Sequence, residues 1–238
     1  MMKVLDLFSG IGGFSLGLER AGMQTVAFCE IEEYPRKVLK KHWPDVPIFE
    51  DVRNLKGEQL GTIDLICGGY PCQPFSLSGE RRGKDDDRHL WPEVARLLDE
   101  TKVKWAVFEN VYGHISLGLD EVLSDLEALG YTAEVYVLPA CAVGLWHRRD
   151  RVWIIANRKG QYLQKQKMVD KGTIISKFRR TANAGWLRTF GRKENQPSMV
   201  GMAHGVPDWV DRSKALGNAV VPQIPEIIGR AIMAIEGF

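Results

Sequence analysis

Cys72 is the residue of this sequence whose surroundings most favour chemistry. It lies in the segment GGYPCQPFS, where Pro71 precedes it and Pro74 follows two residues later. Prolines hold the backbone rigidly and exclude a helix interior, so this thiol is not a routine core cysteine. A thiolate is a strong nucleophile once nearby cationic groups or backbone donors lower its pKa. We therefore predict that Cys72 is a catalytic nucleophile.

Three charged residues are placed to assist such a nucleophile. Glu109 ends a strand predicted at 105–109, and burial of its carboxyl group would raise the pKa toward that of a proton donor near neutrality. Asn110, beside it, is positioned to hold the cysteine loop. Arg149 and Arg151 are two residues apart at the start of a predicted strand, so both side chains should point to one face. The alternatives are a structural salt bridge for Glu109 and surface charges for the arginines.

A glycine-rich turn, DLFSGIGG at 6–13, follows the first predicted strand. Glycines there let the backbone approach a ligand closely. Glu30 ends the second predicted strand, where a carboxylate typically accepts hydrogen bonds from a ribose. A dinucleotide fingerprint would need glycine at Ser15, so S-adenosylmethionine fits better than NAD. Asp51 follows a third, short strand and is placed to reach an adenine amino group, with a surface turn aspartate as the alternative.

Apolar runs alternate with helix-like segments, as in an α/β, doubly wound, Rossmann-like sheet. The predicted strands are 2–8, 25–29, 63–68, 105–109, 132–138 and 151–156, and the predicted helices are 14–21, 34–42, 91–100, 119–129 and 224–235. The strand at 63–68 should lie beside the first strand, at the switch point where ligands bind such sheets. The strands at 132–138 and 151–156 should form an antiparallel pair.

The overall composition is that of a globular protein, with 45% hydrophobic and 26% charged residues in 238. No run of about 20 apolar residues and no signal-peptide pattern is present, so we expect a soluble cytoplasmic protein. The four cysteines form no CxxC pair, which favours reduced thiols and no metal site.

Basic charge is concentrated in one window of the chain. Between 157 and 196 there are eleven basic and two acidic residues, a net charge of +9, whereas the whole chain carries +2. Aromatic residues are interleaved, as suits a surface that meets phosphates and bases. A solvated lysine-rich surface is the alternative. We predict a catalytic and cofactor-binding domain at 1–156, a small irregular basic lobe at 157–204, and a C-terminal segment at 205–238.

In sequence and in order, these segments resemble the DNA cytosine-5 methyltransferases of bacteria and phages. The motifs that carry the resemblance are DLFSGIGG, Glu30, GGYPCQPFS, Phe108-Glu109-Asn110-Val111, Arg149-Asp150-Arg151 and Gly217-Asn218-Ala219-Val220. The match spans 3–156 and roughly 205–235 and omits the basic window. The resemblance implies that the lobe at 157–204 is the target-recognition lobe and that the segment at 205–238 returns to the catalytic domain. Two departures are tolerable: His147 stands where the family commonly has glutamine, and Tyr70 where it commonly has phenylalanine.

The resemblance implies a mechanism. The target cytosine of double-stranded DNA is flipped out, Cys72 adds to its C6, C5 takes a methyl group from S-adenosylmethionine, and the C5 proton is eliminated. Glu109 would contact N3 of the cytosine, and Arg149 and Arg151 would polarise its O2, support the thiolate and bind the flanking phosphate.

The resemblance also implies two sets of binding residues. The cofactor-binding residues are Phe8, Ser9, Gly10, Gly12, Gly13, Glu30, Ile31, Asp51, Val52, Pro71, Leu90, Asn218, Ala219 and Val220. The DNA-binding residues are Gln73 in the cysteine loop, Ser76, Ser78, Arg81 and Arg82 in a segment at 76–90 similar to the family's lid, and Lys177, Arg179, Arg180 and Arg188 in the basic window.

Three other functions stay open at this point. A tRNA cytosine-5 methyltransferase of the same family is disfavoured because the motif Cys-Phe-Thr is absent. A catalytically silent nucleic-acid-binding homologue should have lost Cys72, Glu109 or the arginines. An NAD-dependent oxidoreductase is disfavoured by the glycine spacing and leaves Pro-Cys-Gln-Pro without a role.

The window that would read DNA is short. About forty residues offer less surface than single DNA-reading modules usually bury. The hypothesis is that the recognition sequence is short, relaxed or read with the aid of a partner, and a cognate restriction enzyme is a possible functional partner.

Overall fold

The computed structural model describes residues 1–71, 90–145, 147–158 and 209–238. These residues form a seven-stranded sheet in the order β3-β2-β1-β4-β5-β7-β6. The strands are β1 (Lys3–Leu7), β2 (Gln24–Cys29), β3 (Ile48–Phe49), β4 (Leu65–Gly68), β5 (Trp105–Val111), β6 (Thr132–Pro139) and β7 (Asp150–Asn157). Strands β1 to β5 pair in parallel, whereas β7 lies antiparallel between β5 and β6. The predicted α/β sheet, the β1–β4 pairing and the antiparallel pair are confirmed.

Helices cover both faces of this sheet. They are α1 (Gly13–Arg20), α2 (Glu33–His42), α3 (Trp91–Thr101), α4 (His114–Leu117), α5 (Leu119–Ala128), α6 (Trp209–Asn218) and α7 (Gln223–Glu236). The sequence does not predict α4, which is a single turn. It does not predict α6 either, because no apolar period stands out there: Leu216 is exposed and Ala215 is buried. Among the described residues, no helix has the length and apolar character needed to cross a membrane.

Alternate side chains of each central strand enter different cores. In β1, Leu5 and Leu7 join a core with α3 and α5, whereas Val4 joins a core with α1 and α7. Both faces of the central strands are therefore buried, which explains why they appear in the sequence as continuous apolar runs. Because both faces are covered, a ligand can reach these strands at their carboxyl ends.

Helix α7 packs directly against α1. A Cβ atom at Gly17 would lie 2.2 Å from the carbonyl oxygen of Pro222, and one at Gly229 would lie 2.8 Å from Cβ of Ala21. Glycine at both positions therefore allows the two helices to approach closely. The predicted three-domain division stays a prediction, because most of the proposed recognition lobe lies outside the described residues.

Candidate functional site

The carboxyl ends of the central strands border a crevice of about 610 Å³. Glu109, Arg149 and Arg151 line it. Twelve of the predicted cofactor-binding residues also line it, namely Phe8, Ser9, Gly10, Glu30, Ile31, Asp51, Val52, Pro71, Leu90, Asn218, Ala219 and Val220. One crevice therefore brings together residues from the turns after β1 and β2, from β5 and β7, and from the end of α6 and the segment that follows it.

The turn after β1 is held against Glu30. The amide of Gly10 donates to Oε2 of Glu30 at 2.7 Å, and the amide of Glu32 donates to Oε1 at 2.8 Å. Gly10 has a φ of +52°, a left-handed conformation that is strained for residues with a side chain, and Phe8 has a similar φ of +51°. Burial raises the pKa of Glu30, although both amide hydrogen bonds oppose that shift. The Glu30 carboxylate is thus fixed at the wall of the crevice.

Gly12 and Gly13 lie beside the crevice at the end of the turn after β1, where α1 begins, and their predicted role in cofactor binding stays a prediction. Neither is among the described residues that line the crevice. A Cβ atom at Gly12 would lie 2.7 Å from the ring of Trp43, and one at Gly13 would lie 2.5 Å from the carbonyl oxygen of Val220. These glycines allow close packing behind the crevice, and Gly13 lets the Val220 segment approach the first turn of α1.

Ser15 has a structural role that accounts for the missing third glycine. Its amide and hydroxyl groups donate to Oδ2 of Asp6 at 3.2 Å and 2.7 Å. Asp6 is completely buried, and burial raises its pKa to about 7. These hydrogen bonds tie the end of β1 to the start of α1, an arrangement that a glycine at position 15 would not complete.

Asp51 lines the crevice but already has a charged partner. Arg53 donates to both carboxylate oxygens, from Nε to Oδ1 at 3.0 Å and from Nη2 to Oδ2 at 2.7 Å. This contact lowers the pKa of Asp51. The predicted contact with an adenine amino group stays a prediction and would use the remaining lone pairs of Asp51. Arg53 was missed in the sequence, although its position two residues after Asp51 is the signal that could have identified it.

Glu109 and Arg151 form an ion pair near the carboxyl end of β5 and the start of β7. The distance from Nε of Arg151 to Oε1 of Glu109 is 2.9 Å, and the Glu109 side chain is 13% exposed. A Cβ atom at Gly69 would lie 3.3 Å from Oε2 of Glu109, so the carboxyl group closely approaches the chain that leads to Cys72. Burial raises the pKa of Glu109 despite the opposing charges of Arg151 and Arg149. The carboxyl group therefore holds a proton to higher pH than an exposed glutamate does.

Arg149 differs from the sequence-based prediction. Strand β7 begins at Asp150, and Arg149 precedes it with a φ of +38°. Its guanidinium group donates to the carbonyl oxygens of Gly217 at 2.7 Å and Ala219 at 3.3 Å. The two arginines line the same crevice but contact different groups. Arg151 pairs with Glu109, and Arg149 holds the end of α6 and the segment that follows it.

Several predicted residues lie outside the described part of the chain. They are Cys72, Gln73, Ser76, Ser78, Arg81, Arg82, Lys177, Arg179, Arg180 and Arg188. The described chain stops at Pro71 and resumes at Leu90, and both residues line the crevice. Nδ2 of Asn110 donates to the carbonyl oxygen of Tyr70 at 3.2 Å, which confirms that Asn110 holds the segment before Cys72. No cluster of three possible metal-binding side chains occurs among the described residues.

Comparison with known proteins identifies the family. Residues 2–190 match the sequence model of the C-5 cytosine-specific DNA methylases, and the chain belongs to this family. The chain is 40% identical over 157 residues to the Type II methyltransferase M.NgoMIV of Neisseria gonorrhoeae, covering 64% of this chain and 50% of that protein. It is 32% identical over 168 residues to the Type II methyltransferase M.HhaI of Haemophilus parahaemolyticus, covering 68% and 51%.

The same fold occurs in solved structures. A mutant of DNMT2 from Spodoptera frugiperda matches with a TM-score of 0.59 and 24% identity, over 67% of this chain and 51% of that chain. This match supports the Rossmann-like methyltransferase fold. The chain spans about half the length of the curated relatives described above.

Proposed function

We propose that this protein transfers a methyl group from S-adenosylmethionine to C5 of cytosine in double-stranded DNA. The observation that carries the proposal is the convergence of Glu30, Glu109 and Arg151 on one crevice, at the end of the chain segment that leads into Pro-Cys-Gln-Pro. Family membership and the printed activities of the relatives support the same reaction.

Residues of the crevice would supply the donors and acceptors that the proposed methyl donor requires. The fixed carboxylate of Glu30 would accept hydrogen bonds from the ribose hydroxyl groups, and Ile31 and Val52 would contact the adenine ring. A turn that lacks the third glycine of a dinucleotide fingerprint suits a nucleoside without a pyrophosphate. S-adenosylmethionine, when bound, supplies an electrophilic methyl group on a sulfonium centre.

In the proposed reaction, the residues of the chain activate the cytosine. The Cys72 thiolate adds to C6, which makes C5 nucleophilic, while Glu109 donates a hydrogen bond or a proton to N3. Arg151, held by Glu109, would polarise the cytosine O2. Transfer of the methyl group to C5 would leave S-adenosylhomocysteine. A base then removes the C5 proton, the electron pair of that C–H bond re-forms the C5–C6 double bond as the Cys72 thiolate leaves C6, and N3 returns any proton that it received to Glu109.

The reaction is tested by incubating the purified protein with DNA and S-adenosylmethionine that carries a tritiated methyl group. The expected result is label in DNA that yields 5-methylcytosine after digestion to nucleosides. Label in tRNA but not in DNA would favour the tRNA reaction, and binding of DNA without transfer would favour a silent homologue. Bisulfite sequencing of DNA from an expressing host would then identify the methylated sequence.

We also propose that the basic segment at 157–204 contacts DNA through Lys177, Arg179, Arg180 and Arg188. Gln73, beside Cys72, and Ser76, Ser78, Arg81 and Arg82 of the segment at 76–90 would contact it as well. The basic charge of the first segment supports this proposal. We further propose that the protein acts in the cytoplasm and that a cognate restriction enzyme is its functional partner. A long, strictly read site in the bisulfite data would contradict the hypothesis of short or relaxed recognition.

Replacing Arg149 with alanine is expected to weaken cofactor binding by about tenfold or more, because the variant loses charge-assisted hydrogen bonds to the segment that carries Asn218, Ala219 and Val220. Calorimetric titration with S-adenosylhomocysteine measures this loss directly.

Arg148 provides the matched control. Its side chain is 83% exposed and pairs with Asp150 at the surface, so Arg148→Ala should leave the affinity for S-adenosylhomocysteine unchanged. Equal losses in the two variants would show that general positive charge, rather than the contacts of Arg149, matters for binding.

A further inference from the structure

A buried aromatic cluster lies under the chain that leads to Cys72. Tyr70 is 4% exposed, and its ring centroid lies 5.1 Å from that of Trp91, 5.9 Å from that of Phe108 and 5.4 Å from that of His114. Nε1 of Trp91 donates to Oδ2 of Asp125 at 2.8 Å, which fixes this ring on α3 against α5. The cluster thus connects the end of β4 to β5, α3, α4 and α5.

A hydrogen bond within this cluster joins Tyr70 to the first residue of α4. Oη of Tyr70 lies 2.8 Å from Nε2 of His114, and both side chains are buried. Burial lowers the pKa of His114, so the imidazole is held neutral near pH 7 and can share one hydrogen with the hydroxyl group. Phenylalanine would fill almost the same volume as tyrosine. The hydroxyl group therefore adds a directional constraint that packing alone does not require.

The main chain of Tyr70 is fixed as well. Its carbonyl oxygen accepts the hydrogen bond from Nδ2 of Asn110, and Oδ1 of Asn110 accepts one from the amide of Val111 at 2.9 Å. Tyr70 is therefore held at its side chain by α4 and at its carbonyl group by β5. Pro71 comes next with a restricted φ, and Cys72 follows it. Few torsions separate the fixed groups of Tyr70 from the sulfur.

We infer that His114 is a positioning residue for the proposed reaction, acting through the Tyr70 hydroxyl group to set the direction in which the chain enters Pro71 and Cys72. The inference rests on the proposed function. It assigns to α4, which carries none of the predicted site residues, a role in the rate of thiolate attack. A misdirected nucleophile slows attack without changing the crevice that binds the cofactor.

The first test is Tyr70→Phe, which keeps the ring and removes the hydroxyl group. The expected result is a loss of about tenfold in the single-turnover rate of methyl transfer, with unchanged affinity for S-adenosylhomocysteine and for DNA. The rate of covalent adduct formation with DNA that contains 5-fluorocytosine should fall by the same factor, because that rate reports thiolate attack. A single-turnover rate equal to that of the wild type would overturn the inference.

Tyr131→Phe is the matched control. Tyr131 is also 4% exposed, and its hydroxyl group donates to the carbonyl oxygen of Val103 at 2.7 Å, in the core. This variant should lose thermal stability, as Tyr70→Phe should, but keep the single-turnover rate of the wild type. Equal loss of rate in both variants would show that general destabilisation causes the effect at Tyr70, and it would overturn the inference.

Variants of His114 separate position from packing. His114→Gln places an amide near the former Nε2 and should retain most of the rate, whereas His114→Leu should lower it like Tyr70→Phe. The double variant Tyr70→Phe/His114→Leu makes the pair apolar, so it should regain thermal stability relative to His114→Leu alone but not the rate. Recovery of rate together with stability would overturn the inference. A wild-type protein without any methyl transfer to DNA would instead refute the proposed function, and the inference with it.

Discussion

Replacing Cys72 with serine is expected to lower methyl transfer to DNA by at least about 10³-fold, because a neutral alcohol is a far weaker nucleophile than a thiolate. Cofactor affinity should be nearly unchanged, because the substitution replaces one side-chain atom and leaves Pro71 and the other described residues that line the crevice in place. Transfer of tritiated methyl groups measures the first quantity, and calorimetry with S-adenosylhomocysteine measures the second. Full activity in Cys72→Ser would refute the assignment of the nucleophile.

Cys141→Ser is the control for this prediction. Cys141 carries an exposed free thiol, and it lies in the turn after β6. This variant should keep wild-type activity and should still form a covalent complex with DNA that contains 5-fluorocytosine, because elimination needs a proton at C5. Cys72→Ser should form no such complex. If Cys72→Ser still formed the complex and Cys141→Ser did not, the nucleophile would be Cys141 and not Cys72.

The second large effect is expected at Glu109. Glu109→Ala should lower kcat by about 10²- to 10⁴-fold, the usual contribution of general acid–base catalysis. Glu109→Gln should lower it less, because the amide can still donate a hydrogen bond to N3 of the cytosine. Steady-state kinetics at saturating DNA and S-adenosylmethionine give both values.

The pH profile distinguishes proton donation from simple charge pairing. Burial raises the pKa of Glu109, so the protonated form, the one that can donate, predominates below that raised pKa and is lost as pH rises through it. The wild-type rate should therefore contain an alkaline fall that Glu109→Gln lacks, since an amide does not titrate. An identical alkaline fall in both proteins would contradict a proton-donating Glu109.

Glu127→Gln is the matched control for Glu109→Gln. Glu127 is exposed on α5, so the same change of charge at this position should leave kcat and its pH profile unaltered. A comparable loss of kcat there would mean that net charge, and not the buried position of Glu109, governs the rate.

Much of the fold could be predicted from the sequence because the central strands are buried on both faces. Their continuous apolar runs and the helices between them have clear periods, and each predicted strand overlaps an observed one. The small differences lie at the ends, where a single hydrogen bond decides whether a residue belongs to an element. Helix α4 has one turn and no period, so its sequence carries no comparable signal.

The site could be predicted in part. A residue that must face the crevice because it ends a strand, such as Glu30 or Glu109, is identifiable from its position. The partners of Arg149 cannot be identified in this way, because Gly217 and Ala219 are distant in sequence and contribute only carbonyl oxygens, which every residue possesses. The pairing of Tyr70 with His114 was missed for a similar reason: it depends on where α4 begins, and the departure from phenylalanine at position 70 was the only local signal.

The packing of α7 on α1 has a consequence for synthesis of the protein. Arg230 donates to the carbonyl oxygen of Arg20, a contact that spans 210 residues, and Ile224, Ile228 and Ile232 complete the core that contains Met2 and Val4. During synthesis on the ribosome, the apolar face of the nascent β1–α1 unit therefore stays uncovered until α7 has been translated. Chaperone binding to nascent chains should accordingly be strongest for those arrested before residue 223.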